Sequence, residues 1–300
     1  MLVRRAVPWT LAAAGQCRFY TPSGKEIQKL RYRTDAAIVD CKKALTATEG
    51  NFEEAITWLQ KHGAAKAVKK SDRVTDYGML AVACGSGAAA VLQICSETDF
   101  AARNEKFLSF ADSTRKAAEK MFAETTHGLM EHNLSEADYA TRTAEFYAQL
   151  QKAVEEERTR TVSAMGENIA LKQVIALPRL DSEQSALAVN IADDRLFGFY
   201  VHNSIGDFSR IGMMASIVQL QPRDADGSVA SLPEKVPTSE IAQHCVANFS
   251  NDAVFGQQKV LGTDETTGQW MKRYKVKLQR SLTVKFGEAP LSNTLVVPKK

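Results

Sequence analysis

Apolar residues recur every three or four positions between residues 21 and 63, a spacing that predicts three short helices. The first of them covers residues 25–33. Thr34 is predicted to cap the second helix, which runs to about Thr48. The apolar side of the second helix is formed by Ile38, Cys41 and Leu45, and that of the third by Phe52, Ala55, Ile56 and Leu59. The three helices are expected to pack into one small domain.

Glycine and asparagine mark the ends of these helices. Gly50 can adopt the left-handed conformation that stops a helix, and Asn51 then begins the third helix, with Glu54 completing a box-like cap. Gly63 is predicted to end that helix. Residues 64–77 form a basic linker that carries Lys66, Lys69, Lys70 and Arg73. A solvated helical linker is the favoured interpretation, and contact with an acidic or RNA surface is the alternative.

From residue 78 the pattern indicates strands. Two apolar runs, 78–84 and 88–95, flank Gly85-Ser86-Gly87 and predict a β-hairpin with a glycine-rich turn. Asn104 is then predicted to cap a helix that reaches about Glu124. The side chains expected on its inward face are Phe107, Phe110, Ala111, Thr114, Ala117, Ala118 and Met121.

A second long helical stretch covers residues 135–169, and the two helices are expected to form a hairpin. The pattern then returns to strands, predicted at 171–177, 186–191, 196–202 and 212–220. Residues 224–237 are polar and are predicted to form a loop or insertion. Ser239 is predicted to cap a helix through Ala247, and residues 270–286 again have strand character.

Strands mixed with helices, without regular βαβ alternation, favour the α+β class. We predict an N-terminal three-helix domain at residues 21–63, followed by a core of two small subdomains that each combine a sheet with helices. Residues 78–169 are assigned to the first subdomain, which includes the helical hairpin, and residues 170–300 to the second.

The first twenty residues differ in composition from the rest. They contain no Asp or Glu, an apolar stretch at residues 6–15, and the three arginines Arg4, Arg5 and Arg18. This composition is typical of a mitochondrial presequence at residues 1–20. A secretory signal is the alternative, but Val7-Pro8-Trp9-Thr10 interrupts its apolar core. Without these three basic groups the formal net charge falls from +3 to 0, so a broad basic surface for nucleic acid is not expected.

The polar and reactive residues point away from catalysis. The five histidines are dispersed along the chain, so no zinc site is predicted. No apolar run is long enough to predict a membrane span. The cysteines lack CxxC spacing and are interpreted as reduced, mostly buried thiols: Cys17, Cys41, Cys84, Cys95 and Cys245. A cysteine paired in space with His202 or His244 is an open but less favoured alternative.

Residues 85–90 match the pattern G-x-G-x-x-A after a predicted strand, as in dinucleotide-binding sites. That fingerprint needs a helix after the glycines and a second strand that ends at an acidic residue. Here residues 91–95 suit a strand, and Glu105 falls inside a predicted helix. The nicotinamide-binding interpretation is therefore the less favoured one. No phosphate-binding P-loop, G-x-S-x-G or H-E-x-x-H motif occurs.

Blocks of residues, in a characteristic order, resemble the elongation factor Ts family. The two longest are Leu30-Arg31-Tyr32-Arg33-Thr34-Asp35-Ala36, continued by Asp40-Cys41-Lys42-Lys43-Ala44-Leu45, and Glu97-Thr98-Asp99-Phe100-Ala101-Ala102-Arg103-Asn104-Glu105-Lys106-Phe107. The second resembles the T-D-F-V signature of that family. Shorter blocks are Ala55-Ile56-Thr57-Trp58-Leu59 with Gly63, Gly166-Glu167-Asn168-Ile169, Val201-His202 with Ile211-Gly212, and Ile241-Ala242-Gln243-His244-Cys245-Val246-Ala247. Departures from the family pattern are Ala101 in place of Val, Gln243 in place of Met, and an insertion at 223–238.

The resemblance implies a set of contacts with elongation factor Tu. It implies that the three-helix unit is ubiquitin-associated-like and docks on the nucleotide-binding domain of that partner. It also implies that Phe100 inserts between helices of that domain and disturbs its magnesium and phosphate contacts, with Asp99 holding Phe100 in register. The implied contact residues are Thr98, Asp99, Phe100 and Ala101, with secondary contacts from Arg31, Thr34, Asp40, Gln243 and His244. Without the family, the residues favour a core position for Phe100 and a helix N-cap for Asp99.

The function implied by the resemblance is guanine nucleotide exchange: binding to elongation factor Tu and promotion of GDP release during translation elongation in the mitochondrial matrix. Such a factor is not an enzyme. No cofactor, metal, membrane, direct nucleotide binding or specific nucleic acid partner is expected. Alternatives from other classes are an adaptor for ubiquitin or RNA built on the three-helix unit, and the nicotinamide enzyme considered above.

Overall fold

The computed structural model describes residues 20–85, 88–124, 136–178, 197–223, 236–249 and 255–288. Several predicted features fall outside these residues: the presequence except Tyr20, the strand at 186–191, most of the polar segment at 224–237, and the turn residues Ser86 and Gly87. The chain divides into two compact units, Met1–His62 and Gly63–Lys300.

The first unit is built on three helices, α1 (Gly24–Thr34), α2 (Ile38–Ala47) and α3 (Phe52–Lys70), the last of which extends past the unit's end. Its core consists of small and aliphatic side chains with almost no exposed surface: Leu30, Ala36, Cys41, Ala44, Leu45 and Ala55. A capping box at Ser23 and Glu26 starts α1, because each residue satisfies a backbone N–H of the other. The predicted succession of three helices is present.

Thr34 does not cap the second helix, contrary to prediction. It is the last residue of α1, and its hydroxyl donates to the carbonyl oxygen of Leu30 at 2.7 Å. Asp35 then takes a left-handed conformation, with φ 55°, that ends α1. The next helix begins only after Ala37, which offers no side-chain cap. Ile38, the first residue of α2, is 54% exposed and is not part of the core.

The start of α3 agrees with prediction, and its end does not. Gly50 has φ +88°, and the ring of Tyr20 fills the space that a side chain there would need. Asn51 accepts from the backbone N–H of Glu54 at 3.3 Å and donates to its carboxylate at 2.7 Å. Gly63 does not end the helix, which continues to Lys70. Instead Gly63 is buried against Ser163, a close packing position that glycine tolerates inside a helix.

Among its described residues, the second unit combines two antiparallel sheets with five complete α-helices, a 3-10 helix at Phe255–Gln257 and the end of α3. The strands are β1 (Tyr77–Cys84), β2 (Ala88–Ser96), β3 (Ile169–Pro178), β4 (Phe197–His202), β5 (Ile211–Gly212), β6 (Met214–Pro222) and β7 (Val276–Lys285). The helices are α4 (Asp99–Ala102), α5 (Glu105–Glu124), α6 (Glu136–Met165), α7 (Thr238–Ala247) and α8 (Thr267–Arg273). The first sheet has the order β3-β2-β1-β5 and the second the order β4-β6-β7. This arrangement confirms the α+β class.

Successive side chains of a strand point to opposite faces of its sheet, and this alternation produces the layers of the second unit. In β1, Ala81 and Ala83 face the α5–α6 hairpin, whereas Leu80 and Val82 face the second sheet. Helices α7 and α8 cover the other face of the second sheet, where Trp270 is fully buried. The order of layers is therefore helices, sheet, sheet, helices. The predicted β-hairpin and helical hairpin are both present.

Strand pairing places β3 in the first sheet. Residues from Ile169 to Pro178 pair with β2, with Ser96 opposite Ile169 at the end of the ladder. We predicted a division between subdomains at 169 and 170, with this strand opening the second. A division at that point separates a strand from its own sheet, because β3 follows the hairpin and returns to β2.

One local prediction in the C-terminal part is wrong. Ser239 does not cap α7, because the helix begins one residue earlier, at Thr238, whose hydroxyl donates to the carbonyl oxygen of Phe197 at 3.1 Å. The strand-like stretches predicted within residues 270–286 are present as β7, and the residues before that strand belong to α8. A capping box at Thr266 and Gln269 starts that helix.

The described cysteines form no disulfide. Cys41 and Cys95 are buried, and Cys84 and Cys245 are partly exposed. Burial raises the pKa of the Cys95 thiol to about 11 and that of Cys245 to about 12. Within the same residues, no group of three or more His, Cys, Asp or Glu side chains could hold a metal ion. None of the described helices is both long and apolar enough to cross a bilayer.

Candidate partner-binding site

The short helix α4 begins where the chain leaves the first sheet at the end of β2. Thr98 is its N-cap, with an extended backbone and a side-chain oxygen that accepts from the N–H of Ala101 at 3.2 Å. The hydroxyl of Ser96 donates to the carbonyl oxygen of Thr98 at 2.9 Å. Ala101 and Ala102 are both buried. One side of α4 is thus fixed to the sheet.

The other side of α4 carries Asp99 and Phe100 into solvent. Phe100 is 84% exposed, although burial of such a side chain contributes about 2–3 kcal/mol. The alternatives drawn from the residues alone, a core Phe100 and an N-cap Asp99, are therefore wrong. The cap is Thr98, and Asp99 is the first residue of the helix. Aromatic residues are enriched at protein–protein interfaces, so an exposed phenylalanine on a helix fixed to the sheet is a candidate contact residue.

A turn from a distant part of the chain supports α4 from beneath. The Thr98 hydroxyl lies 3.0 and 3.1 Å from the two carboxylate oxygens of Glu167. Beside it, the backbone N–H of Asn168 donates to the Glu97 carboxylate at 2.5 Å. The guanidinium of Arg73 lies 3.4 Å from the same carboxylate. Sequence reasoning did not assign Glu97, Glu167 or Asn168 to the site.

This turn is itself anchored on the end of α3. Asn168 is buried, and its side-chain amide donates to the carbonyl oxygens of Ser71 at 3.3 Å and Arg73 at 3.0 Å. The ammonium group of Lys70 donates to the carbonyl oxygen of Gly166 at 2.5 Å. Part of the basic segment predicted as a linker therefore makes contacts within this unit.

Ala101 is not a surface residue. Its side chain is 5% exposed and faces the interior, so it supports α4 rather than presenting itself to a partner. The four predicted residues from Thr98 to Ala101 therefore lie together but have two different roles. Asp99 and Phe100 are presented to solvent, whereas Thr98 and Ala101 hold the helix in place.

Three of the predicted secondary contacts lie in the first unit. Arg31 is exposed, Thr34 is half-buried, and Asp40 is buried. The residues beside them include the exposed apolar side chains Tyr32 and Val39, and Tyr32 is 94% exposed. These apolar side chains were not predicted as site residues.

The remaining two predicted contacts lie on α7, which packs against the second sheet. Gln243 is partly buried. His244 has no exposed surface, and one of its ring nitrogens lies 2.8 Å from the side-chain oxygen of Gln258. The ring meets that of Phe255 edge to face, and burial lowers the pKa of His244. His244 is thus not available for direct contact, because its side chain serves the packing between α7 and the segment before α8.

Comparison with known proteins points to one family. The family model described as "Elongation factor TS" matches residues 97–251, more than half of the chain. That stretch begins at Glu97 and includes α4 and the turn at Gly166–Asn168.

Individual relatives extend the similarity over most of the chain. "Elongation factor Ts 1, mitochondrial" of Trypanosoma cruzi is 33% identical over 275 residues, or 91% of this chain and 90% of the relative. "Elongation factor Ts, mitochondrial" of Leishmania infantum is 32% identical over 292 residues, or 94% and 97%. "Elongation factor Ts" of the bacterium Maricaulis maris is 33% identical over 228 residues, or 76% and 62%.

Proposed function

This chain belongs to the elongation factor Ts family, in its mitochondrial form, and on that premise we propose that it binds mitochondrial elongation factor Tu and promotes release of GDP. It does so during translation elongation in the mitochondrial matrix, after removal of residues 1–20 as a presequence. It acts by binding alone, without covalent chemistry and without a cofactor. The observation that carries the proposal is the exposed Phe100 on a helix whose other side is fixed.

Release of GDP from such a partner is slow because the phosphates, the backbone amides around them and magnesium hold one another in place. A protein accelerates release when it binds more tightly to the conformation in which that cluster is disturbed. By linkage, the exchange factor and GDP then weaken each other's binding by the same factor. Each tenfold weakening corresponds to about 1.4 kcal/mol of coupling free energy.

Phe100 is suited to supply this coupling. A phenylalanine that is exposed in the free factor gains about 2–3 kcal/mol when it enters an apolar space between helices of the partner. If this gain occurs only in the disturbed conformation, it accelerates the release of GDP by a factor of roughly 30 to 150. Little of the gain is lost to ordering the site, because α4 is already in place in the free protein.

Asp99 has the complementary role of orienting the contact. Its side chain is exposed next to Phe100, so it can pair with a basic group of the partner without distorting α4. Exposed ion pairs contribute only about 0–1 kcal/mol, so its main effect is on the register of Phe100 rather than on affinity. Thr98 and Ala101 lie on the inner side of α4 and hold the helix in place.

Secondary contacts come from the first unit and from α7. Arg31 and the neighbouring Tyr32 offer an exposed cation and an exposed aromatic ring, a combination that is common at protein interfaces. Thr34 and Asp40 support this surface, and Gln243 contributes from α7. These contacts provide affinity, and the Phe100 contact provides exchange.

The proposal is tested by measuring release of a fluorescent GDP analogue from mitochondrial elongation factor Tu, with and without residues 21–300. We expect release to accelerate with the concentration of the chain and to saturate. Unchanged release in the presence of a folded chain that binds the factor would contradict the proposal.

A further inference from the structure

Side chains continue the pairing of β2 with β3 beyond the point where the strands end. The backbone ladder closes with Ser96 opposite Ile169. One step further, the Glu97 carboxylate accepts from the backbone N–H of Asn168 at 2.5 Å. Another step further, the Thr98 hydroxyl is 3.0 Å from the Glu167 carboxylate. The two residues before α4 are therefore tied in antiparallel register to the two residues before β3.

The tie at Thr98 has a direct consequence for α4. A threonine hydroxyl has one proton and two lone pairs. When the proton is donated to Glu167, the lone pairs are free to accept the N–H of Ala101, as observed at 3.2 Å. Glu167 therefore fixes the hydroxyl in the orientation that caps the helix carrying Phe100. Hydrogen bonds to a carboxylate are among the stronger ones in proteins.

The turn that contains Glu167 and Asn168 is itself held in place by hydrogen bonds. Gly166 has φ +80°, and its N–H donates to the carbonyl oxygen of Val162 at 2.9 Å, which ends α6 in a left-handed turn. Asn168 is fixed by its two hydrogen bonds to the carbonyl oxygens of Ser71 and Arg73. The ties are thus built on an immobilised turn rather than on a free loop.

We infer that Glu167 and Asn168 are positioning residues for nucleotide exchange, which hold α4 so that Phe100 is presented in a single orientation. The inference rests on the proposed function, because it names the residues through which Phe100 is made effective. Glu167 and Asn168 act through Glu97 and Thr98 and need no contact with the partner. In a factor without these ties, α4 has to become ordered when Phe100 enters the disturbed conformation of the bound partner, and the maximal rate of GDP release falls.

The test uses three variants of the full mature chain. Glu167→Ala removes both acceptors of the Thr98 hydroxyl, whereas Glu167→Gln keeps one oxygen that can accept it. Glu156→Ala is the matched control, because Glu156 lies on α6 in an exposed ion pair with Arg160. Two quantities are measured for each: amide hydrogen exchange of residues 97–104 in the free protein, and GDP release as a function of factor concentration.

For Glu167→Ala we expect amide exchange of residues 97–104 to rise about tenfold, the effect of losing one hydrogen bond to a charged group. The maximal rate of GDP release is expected to fall about tenfold, while the half-saturating concentration changes by less than about threefold. In Glu167→Gln, amide exchange of residues 97–104 and the maximal rate of GDP release are both expected to return most of the way to their wild-type values. Glu156→Ala is expected to match the wild type, and exchange in α5 is expected to stay unchanged in all variants.

Two results would overturn the inference. One is unchanged amide exchange of residues 97–104 in Glu167→Ala, and the other is faster amide exchange with an undiminished maximal rate. Absence of any acceleration by the wild-type chain is a separate outcome, which would overturn the proposed function and the inference with it. If Glu167→Ala does not fold, Thr98→Val with Thr98→Ser as its rescue removes and restores the same hydroxyl, and the same expectations apply.

Discussion

Phe100 and Ala101 are neighbours in the chain but lie on opposite sides of α4. The side chain of Phe100 is 84% exposed, whereas that of Ala101 is 5% exposed. The cap at Thr98 and the burial of Ala101 and Ala102 fix the rotation of the helix, and that rotation directs Phe100 outward. The role proposed for Phe100 therefore depends on residues that do not themselves reach the partner.

The first prediction compares the stability effects of removing an exposed phenylalanine, Phe100, and a buried one, Phe107. Phe100→Ala is expected to change the free energy of unfolding by less than about 0.5 kcal/mol, because the side chain is already in solvent. Phe107→Ala, seven positions along the chain, is expected to cost about 3–5 kcal/mol, because Phe107 is fully buried. Urea denaturation of the two variants measures both values. Equal losses would mean that Phe100 belongs to the core.

The second prediction concerns the buried amide of Asn168. Its side-chain nitrogen donates to the carbonyl oxygens of Ser71 and Arg73. Asn168→Asp replaces that donor by an acceptor facing two other acceptors, and is expected to lower the free energy of unfolding by about 2–3 kcal/mol. Asn168→Ala removes the hydrogen bonds without the repulsion and serves as the comparison. An aspartate variant as stable as the wild type would show that these hydrogen bonds do not hold the turn.

The third prediction is a pH dependence of stability that arises at His244. Burial lowers the pKa of His244 below its ordinary value of 6.5, so the folded state takes up a proton at lower pH than the unfolded state. The unfolded state therefore gains protons first as the pH falls through about 6.5, and folding stability decreases. Between about pH 7.5 and about pH 5.5 this contribution amounts to at most about 1.4 kcal/mol.

The measurement for His244 is the slope of stability against pH, compared with His244→Gln. The variant has no titrating group at this position, so its stability is expected to fall less than that of the wild type over the same pH range. Comparing slopes removes the effect of the substitution on packing. Parallel slopes would mean that His244 titrates alike in the folded and unfolded chain.

Local elements of this fold follow from local sequence signals. The cap at Asn51, the left-handed Gly50 and the hairpin of β1 with β2 each depend on residues close together in the chain, and each was predicted. Thr34 illustrates the limit of such signals. A threonine between two helices can cap the second or bond backward within the first, and here the backward bond to Leu30 is formed.

Other features that the sequence did not predict involve distant parts of the chain. The placement of β3 beside β2, the burial of His244 and the continuation of α3 through Gly63 depend on packing that local patterns do not contain. The same holds for the ties of Glu97 and Thr98 to residues about seventy positions away. Family resemblance pointed to the segment that carries Phe100, but only the tertiary structure shows which residues hold that segment in place.

The central claim is tested most directly by the effect of Phe100→Ala on the release of a fluorescent GDP analogue from mitochondrial elongation factor Tu. Leu261→Ala is the control, because Leu261 is also an exposed apolar residue but lies in the segment before α8 rather than on α4. We predict that the wild-type chain and Leu261→Ala accelerate release equally, and that Phe100→Ala lowers the maximal rate at least about 30-fold. Release by Phe100→Ala at the wild-type rate would contradict the account.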